Sequence, residues 1–196
     1  MASVREATVD ESPQVCAALA AAFVSDPVLL FLFPRRWRRD AHMRRLFAVE
    51  LAYHVFPAGR ALTTDDFRGA SLELPPSSVT ISVPLSGALA FVRTFGVHLP
   101  RAARLQKFFE LHHIKEPHYY VRYVGVAPPF QGQGLGPELL RPTLDRCDAD
   151  GVPAYLEAST ERSAAFYARL GFEHLGELRV PNGPRFWPMR RPPARS

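Results

Sequence analysis

Residues Val124-Gly-Val-Ala-Pro-Pro-Phe-Gln-Gly-Gln-Gly-Leu-Gly136 join an apolar stretch to a proline turn, with glycines at 132, 134 and 136. Placed between a strand and a helix start, such a run builds an anion cradle. Successive backbone N–H groups converge on one oxygen cluster, and the helix dipole adds partial positive charge. Spacing decides which anion. A P-loop needs Lys and Ser/Thr after its last glycine, but Pro137 and Glu138 follow here, which excludes it. A dinucleotide fingerprint needs its third glycine three positions after the second, and counted from Gly132 and Gly134 that position is Pro137. Glu157, 21 residues beyond Gly136, stands where a ribose-binding acid would fall, so the glycines alone leave that reading open. Architecture weighs against it. Only 60 residues follow Gly136, too few for the rest of a doubly wound sheet.

What remains is Gln-x-x-Gly-x-Gly, filled by Gln131, Gly134 and Gly136. A helix over 135–149 follows, then a short apolar strand over 154–158. Next comes the segment Ser163–Phe172, with three residues between Phe166-Tyr167 and Gly171-Phe172. Tyr167 lies 31 residues beyond Gly136. This order resembles the GNAT superfamily of acyl-CoA-dependent N-acetyltransferases, specifically over about 118–178 and in outline elsewhere. The resemblance implies a mixed α/β fold: a twisted, mostly antiparallel sheet of six or seven strands, with one central splayed parallel pair, flanked by helices. It implies acetyl-CoA as co-substrate and direct attack by a primary amine in a ternary complex. By the same resemblance Gln131, Gly132, Gln133, Gly134, Leu135 and Gly136 hold the pyrophosphate. The backbone of Val124, Gly125 and Val126 meets the pantetheine arm, and an N–H at Val126 or a neighbour faces the thioester carbonyl. Ser159, Ser163 and Tyr167 face the coenzyme. Many relatives carry asparagine before the Phe-Tyr pair, where this chain has Thr160 and Ser163.

Acetyl transfer to an amine needs a grip on the donor, a polarised carbonyl, a neutral amine and a proton for the leaving thiolate. Backbone donors at the carbonyl are worth about 2.7–4 kcal/mol in such sites. Tyr167 is the expected general acid. A phenol of pKa about 10 stays protonated at neutral pH and can hydrogen-bond a thiolate whose parent thiol has pKa about 8.5. The base is less evident. The strand before the loop contains Tyr119, Tyr120, Arg122 and Tyr123 but no carboxylate, so His118 at its start is the expected catalytic base, with Glu116 second. His112, His113, Glu116 and His118 do not form a His-Glu-x-x-His array, and Pro117 breaks any helix aligning them, so no metal is expected.

The elements that position these groups read as one domain over 1–196, of ordinary globular composition, 47% hydrophobic and 22% charged. Ser12-Pro13 marks a helix start, with Ser12 as N-cap, and the helix runs to about 24. The apolar stretch 28–33 is core or lines an acceptor pocket. A helix over 38–55 follows, and residues 12–55 are expected to cover the acceptor site. Asp26, Asp65 and Asp66 are candidates to meet the amine. A hairpin joins 60–64 to 69–74, and 84–114 reads as two helices broken near Gly96 and Pro100. Residues 119–126 form a strand with Tyr119, Val121 and Tyr123 on one face and Tyr120, Arg122 and Val124 on the other. A strand over 172–180, a turn at 181–184 and an edge strand over 185–189 containing Pro188 complete the chain.

Bulk properties exclude several classes. No run of eighteen apolar residues exists and the first ten residues carry Arg5, Glu6 and Asp10, so neither a membrane span nor a standard leader is expected. Cys16 and Cys147 are too few for a disulfide framework and are expected to be buried free thiols in a reducing cytoplasm. The net charge of +5 suits a polyanionic partner such as coenzyme A. Six arginines between Arg35 and Arg45, with Trp37 and Phe47, read as a solvated helix face, so no nucleic acid or membrane partner is expected. The acceptor is expected to be a small-molecule or peptide amine, and the chain a monomer or homodimer. Two other readings remain: an acyl-CoA-binding sensor without catalysis, and nucleic-acid or membrane-surface binding through the 35–45 helix.

Overall fold

The computed structural model describes residues 3–78 and 85–194. Its strands are β1 (Val4–Glu6), β2 (Arg60–Thr64), β3 (Gly69–Leu74), β4 (Tyr119–Val126), β5 (Ala154–Ala158), β6 (Glu173–His174), β7 (Leu178–Arg179) and β8 (Arg185–Arg191). They form an eight-stranded sheet in the order β1-β2-β3-β4-β5-β8-β6, with β7 also paired to β8. Every pairing is antiparallel except that of β4 with β5. The expected six or seven strands become eight because β1 adds an edge and the strand expected over 172–180 is two short ones. Gly176, at φ 132°, lies between them, a backbone state that other residues rarely adopt.

The helices are α1 (Ser12–Ala22), α2 (Pro27–Leu32), α3 (Arg39–Glu50), α4 (Phe56–Ala58), α5 (Leu85–Phe95), α6 (Leu99–His112), α7 (Leu135–Asp150) and α8 (Glu161–Ala168). A π-helical turn over Leu51–Val55 links α3 to α4, so the expected 38–55 helix is real but not uniformly α. The N-cap of α1 is Glu11 rather than Ser12, whose hydroxyl instead donates to the Val9 carbonyl. The expected break near Gly96 and Pro100 is a 3-10 turn over Gly96–His98; residue 84 lies outside the described residues. Among the described residues no helix is long and apolar enough to cross a membrane.

Two apolar clusters sandwich the sheet. One joins α1, α2, α3, α5 and α6 to Ala61, Ala70, Leu72 and Phe186, and the other joins α7 and α8 to Tyr119, Val121, Leu156 and Ala158. Cys16 and Cys147 are free and buried, and burial pushes their thiols up to about 11 and about 12. Strand β4 does not alternate as expected. Val121 pairs with Glu73 and Tyr123 with Leu72, so Arg122 is an extra residue in a bulge. One extra residue reverses the facing of everything beyond it. Tyr123 therefore packs edge-on against Phe23 and Phe47 of the α1/α3 layer, while Tyr119 and Val121 face α7. Strand β8 is not an edge either. It lies between β5 and β6, and on the β6 side Pro188 is used only as an acceptor, its carbonyl taking the Leu175 N–H at 2.9 Å.

Glu73 of β3 is 2% exposed and accepts from Ser71, with Arg60 at 3.4 Å. Burial outweighs these partners and raises its carboxyl to about 7. The folded state thus holds this proton more tightly than the unfolded chain. The associated stability is present below about pH 4.5 and lost as pH rises through about 7, amounting to about 3 kcal/mol. Glu73→Gln is expected to remove this loss. Urea denaturation at pH 5 and 8 should show native stability falling by that amount relative to the variant, and parallel curves for the two proteins would contradict the assignment.

Candidate functional site

The loop after β4 folds as its glycines require. Gly132 and Gly134 have φ of 77° and 83°, the left-handed region where a side chain is strained. A Cβ at either would meet no atom within 4 Å, so backbone conformation and not crowding demands glycine there. Gly136 differs: its Cβ would stand 3.0 Å from the Phe166 ring of α8. Gly134 is the N-cap of α7 and supplies no side-chain cap, which leaves the first-turn N–H groups of α7 facing a cavity. Gln131 is exposed on this loop. Its amide donates to the Val126 carbonyl at 3.0 Å and closes the end of β4. Arg162 of α8 and Arg169, the C-cap of that helix, also line the cavity, a source of positive charge that the motif did not reveal.

From this loop a single cavity of about 1420 Å³ runs between β4 and β5 to an aromatic end lined by Phe91, Phe95, Phe109 and Phe186. The passage exists because the parallel pairing is short. Only Tyr119 and Tyr120 of β4 pair with Ala154 and Tyr155 of β5, so beyond them the strands separate. Val124, Gly125 and Val126 then pair with β3 alone and offer a free edge toward β5. Gly125 is glycine for space: a Cβ would sit 2.6 Å from the Ala22 Cβ, so α1 packs directly on this edge.

Tyr167 lies on the α8 side of the passage, packed between Phe166 and Phe172. Burial, with a smaller contribution from Asp26, pushes its phenol well up, so it is protonated at neutral pH. Asp26 caps α2, accepting from the Val28 and Leu29 amides at 2.9 and 3.1 Å, and its other oxygen accepts from Ser159. Burial raises its carboxyl. Ser159 is therefore tied to the α1–α2 connection. Ser163 is also engaged locally: it accepts from the Thr160 amide and completes a capping box for α8. Asp65, in contrast, pairs with Arg5 and does not line the cavity.

Glu157, which sequence reasoning did not single out as a candidate base, is brought to this site by the fold. It lines the cavity from β5, where Tyr120 donates to its Oε2 at 2.8 Å and His113 Nδ1 stands 3.1 Å from its Oε1. His118 is not directly available. It is 2% exposed, with Nδ1 2.7 Å from the Glu116 carbonyl and Nε2 3.0 Å from His113 Nε2, and burial lowers its pKa. Glu116 is held by Arg190. The arrangement places a long donor groove, a protonated phenol and a buried carboxylate along one passage, as a transfer between two bound substrates requires.

Residues 89–172 match the model of the "Acetyltransferase (GNAT) family". The chain is 28% identical over 174 residues to an uncharacterised N-acetyltransferase of Schizosaccharomyces pombe, covering 81% of this chain and 69% of that one. It is 43% identical over 60 residues to the N-alpha-acetyltransferase RimI of Mycobacterium tuberculosis, 30% of this chain and 37% of that protein. A crystal structure described as histone acetyltransferase HPA2 and related acetyltransferase, from Corynebacterium glutamicum, superposes with a TM-score of 0.72 at 25% identity, covering 100% of this chain and 99% of that one. Over residues 89–172 the chain thus matches the GNAT acetyltransferase family, and with the splayed parallel pair and the glycine loop ahead of α7 it has the fold of an acetyltransferase of known structure.

Proposed function

We propose that this acyltransferase moves the acetyl group of acetyl-CoA to a primary amine of a small molecule or peptide, by direct attack in a ternary complex. The observation that carries this reading is the passage between β4 and β5, continuous with the glycine loop at one end and the aromatic pocket at the other. Both substrates thus have their own limb of one cavity. The first-turn N–H groups of α7, with Arg162 and Arg169, suit the pyrophosphate, and the free edge of β4 suits the amides of the pantetheine arm. Asp26 and Glu157 give the passage negative charge to draw an ammonium, and the phenylalanines suit an apolar body beside it.

In this reading Glu157 takes the proton of the ammonium, and the amine lone pair attacks the thioester carbonyl. The carbon–sulfur bond breaks as the carbonyl re-forms, and Tyr167 gives its proton to the thiolate. Tyr167 then recovers a proton from the new amide nitrogen, so one proton is released per turnover.

The test combines binding and turnover. Acetyl-CoA is expected to raise the melting temperature by mass action, and thiol release is expected with at least one member of a panel containing 2-phenylethylamine, a polyamine and short peptides. Tyr167→Phe should keep the acetyl-CoA shift and lower turnover by about 10²-fold. Stabilisation without thiol release from any amine would favour a sensor. Stabilisation by an oligonucleotide alone, lost steeply with salt, would overturn the reading.

A further inference from the structure

Arg122 carries more donors than its ion pair uses. A guanidinium holds five N–H groups in a planar fork. Nε donates to Glu50 Oε2 at 2.6 Å and Nη2 to Glu50 Oε1 at 2.9 Å, which leaves one N–H on Nη2 and both on Nη1 without a protein partner among the described residues. Nη1 is not a sealed orphan either. The Arg122 side chain keeps 19% of its surface open, against 4% for Glu50. Strand β4 lies inside the sheet with a packed layer on each face, and Arg122 lines the cavity, so this open surface belongs to the cavity.

The register puts the fork at the gap where the two substrates meet. Tyr120 and Tyr155 form the last pair of the β4–β5 ladder. Two residues farther along each strand, Arg122 reaches α3 through Glu50 and Glu157 reaches the end of α6 through His113, so both side chains turn to the same face of the sheet. They stand on opposite lips of the opened gap. Tyr120 lies between them: its hydroxyl donates to Glu157, and its ring centre is 5.9 Å from Arg122 Cζ. An amine held beside Glu157 therefore has unused N–H donors across from it, while Phe91, Phe95, Phe109 and Phe186 take the apolar body.

Charge decides what meets those donors. Against burial, Arg122 and His54 hold the Glu50 carboxyl at about 2, so the carboxylate is ionised and cancels the charge of the guanidinium it grips. A carboxylate on the acceptor would find no net counter-charge there, and Asp26 and Glu157 line the same cavity. A neutral carbonyl oxygen needs only the N–H groups. An apolar group placed against them would leave buried donors unmatched, which is costly.

We propose that Arg122 selects acceptors that carry a neutral carbonyl on the carbon next to the amine, so that the substrate class is the α-amine of an apolar residue in a peptide or an amino-acid amide. The proposal rests on the acetyl-transfer reading above. Arg122 touches the acceptor away from the bonds that form and break, so its role is specificity.

Two measurements on the full chain test this. The first uses the native protein and neutral product analogues, in which amine basicity plays no part. N-acetylphenylalaninamide should inhibit about 10–10²-fold more tightly than N-acetyl-2-phenylethylamine, the range for a hydrogen bond to a charged group. N-acetylphenylalanine, with its carboxylate, should be weaker than the amide. Inhibition by the amide no tighter than by N-acetyl-2-phenylethylamine, or tightest inhibition by the carboxylate, overturns the proposal. The second compares kcat/KM for phenylalaninamide, phenylalanylglycinamide and 2-phenylethylamine in the native protein and in the Glu50→Ala/Arg122→Met variant, which leaves no charge buried alone. The preference for the two carbonyl-bearing amines should fall by about 10–10²-fold in the variant, the differing basicities cancelling between the two proteins. A higher value for phenylalanylglycinamide than for phenylalaninamide supports the proposal with a peptide as the source, and the reverse supports it with a small amide. An equal loss for all three amines means a merely structural role for Arg122 and overturns the proposal while acetyl transfer stands. Absence of both an acetyl-CoA shift and thiol release with every amine in the native protein would instead remove the reading on which the proposal rests.

Discussion

Glu157→Gln is expected to lower kcat by about 10²–10⁴-fold, the range for loss of a positioned general base, while leaving the thermal shift by acetyl-CoA intact. The separation follows from geometry. Glu157 sits on β5 against His113 at the end of α6, whereas the glycine loop and the first turn of α7 follow β4. Glutamine has the same shape and fills both local contacts, accepting from Tyr120 through oxygen and donating to His113 through nitrogen. The fold around Tyr155 and His113 should therefore persist. What the amide cannot do is take a proton at neutral pH. Loss of rate with an unchanged KM for acetyl-CoA would identify Glu157 as the base. Retained kcat would mean that the amine arrives neutral or that Asp26 serves, and Asp26→Asn would decide between those two.

The glycine-loop end of this site was legible in the sequence and the Glu157 end was not, for a physical reason. The cradle is local: Gly132, Gly134 and Gly136 act through their own backbone and the helix they open, so spacing carries the information. Tyr167 is tied to them by a fixed order of strand and helix. Glu157 was visible in the sequence, but as the acid of a rival motif, because nothing local says that β5 separates from β4 beyond Tyr155. Its partners come from the end of α6 and from Tyr120, 44 and 37 residues away. The bulge at Arg122 was equally hidden. Strict alternation put Tyr123 beside Tyr119, and only the pairing with β3 reveals the extra residue that turns it toward Phe23 and Phe47. Pro188 shows the converse error. Proline suits an edge, yet Pro188 lies inside the sheet because its neighbour on the β6 side, Leu175, asks it only to accept a hydrogen bond.

Glu50→Ala should be the most destabilising single change in the layer of α1, α2 and α3, by about 3–5 kcal/mol, the range for breaking a buried ion pair from one side. Glu50 is 3% exposed on α3 and accepts from Arg122 Nε at 2.6 Å and Nη2 at 2.9 Å, with His54 Nδ1 3.1 Å from its Oε2. Burial alone would raise its carboxyl, but Arg122 and His54 outweigh burial and hold it at about 2. Arg122 is the bulge residue of β4, so this pair fastens the helical layer to the strand bordering the passage. Truncation would leave a guanidinium in the bulge with no carboxylate to meet it. The sign of the pH effect follows from the lowered pKa. The stability contributed by Glu50 is fully present above about pH 4.5 and is lost as pH falls toward about 2. The gap between native and variant should therefore be widest near neutrality and shrink in acid. Pairing Glu50→Ala with Arg122→Met should recover much of the loss, because no charge is then buried alone. Urea denaturation of the four proteins at pH 7 and pH 3.5 measures both effects. A double variant no more stable than Glu50→Ala would mean that α3 is held to β4 by packing around Phe47 and Tyr123 and not by the ion pair.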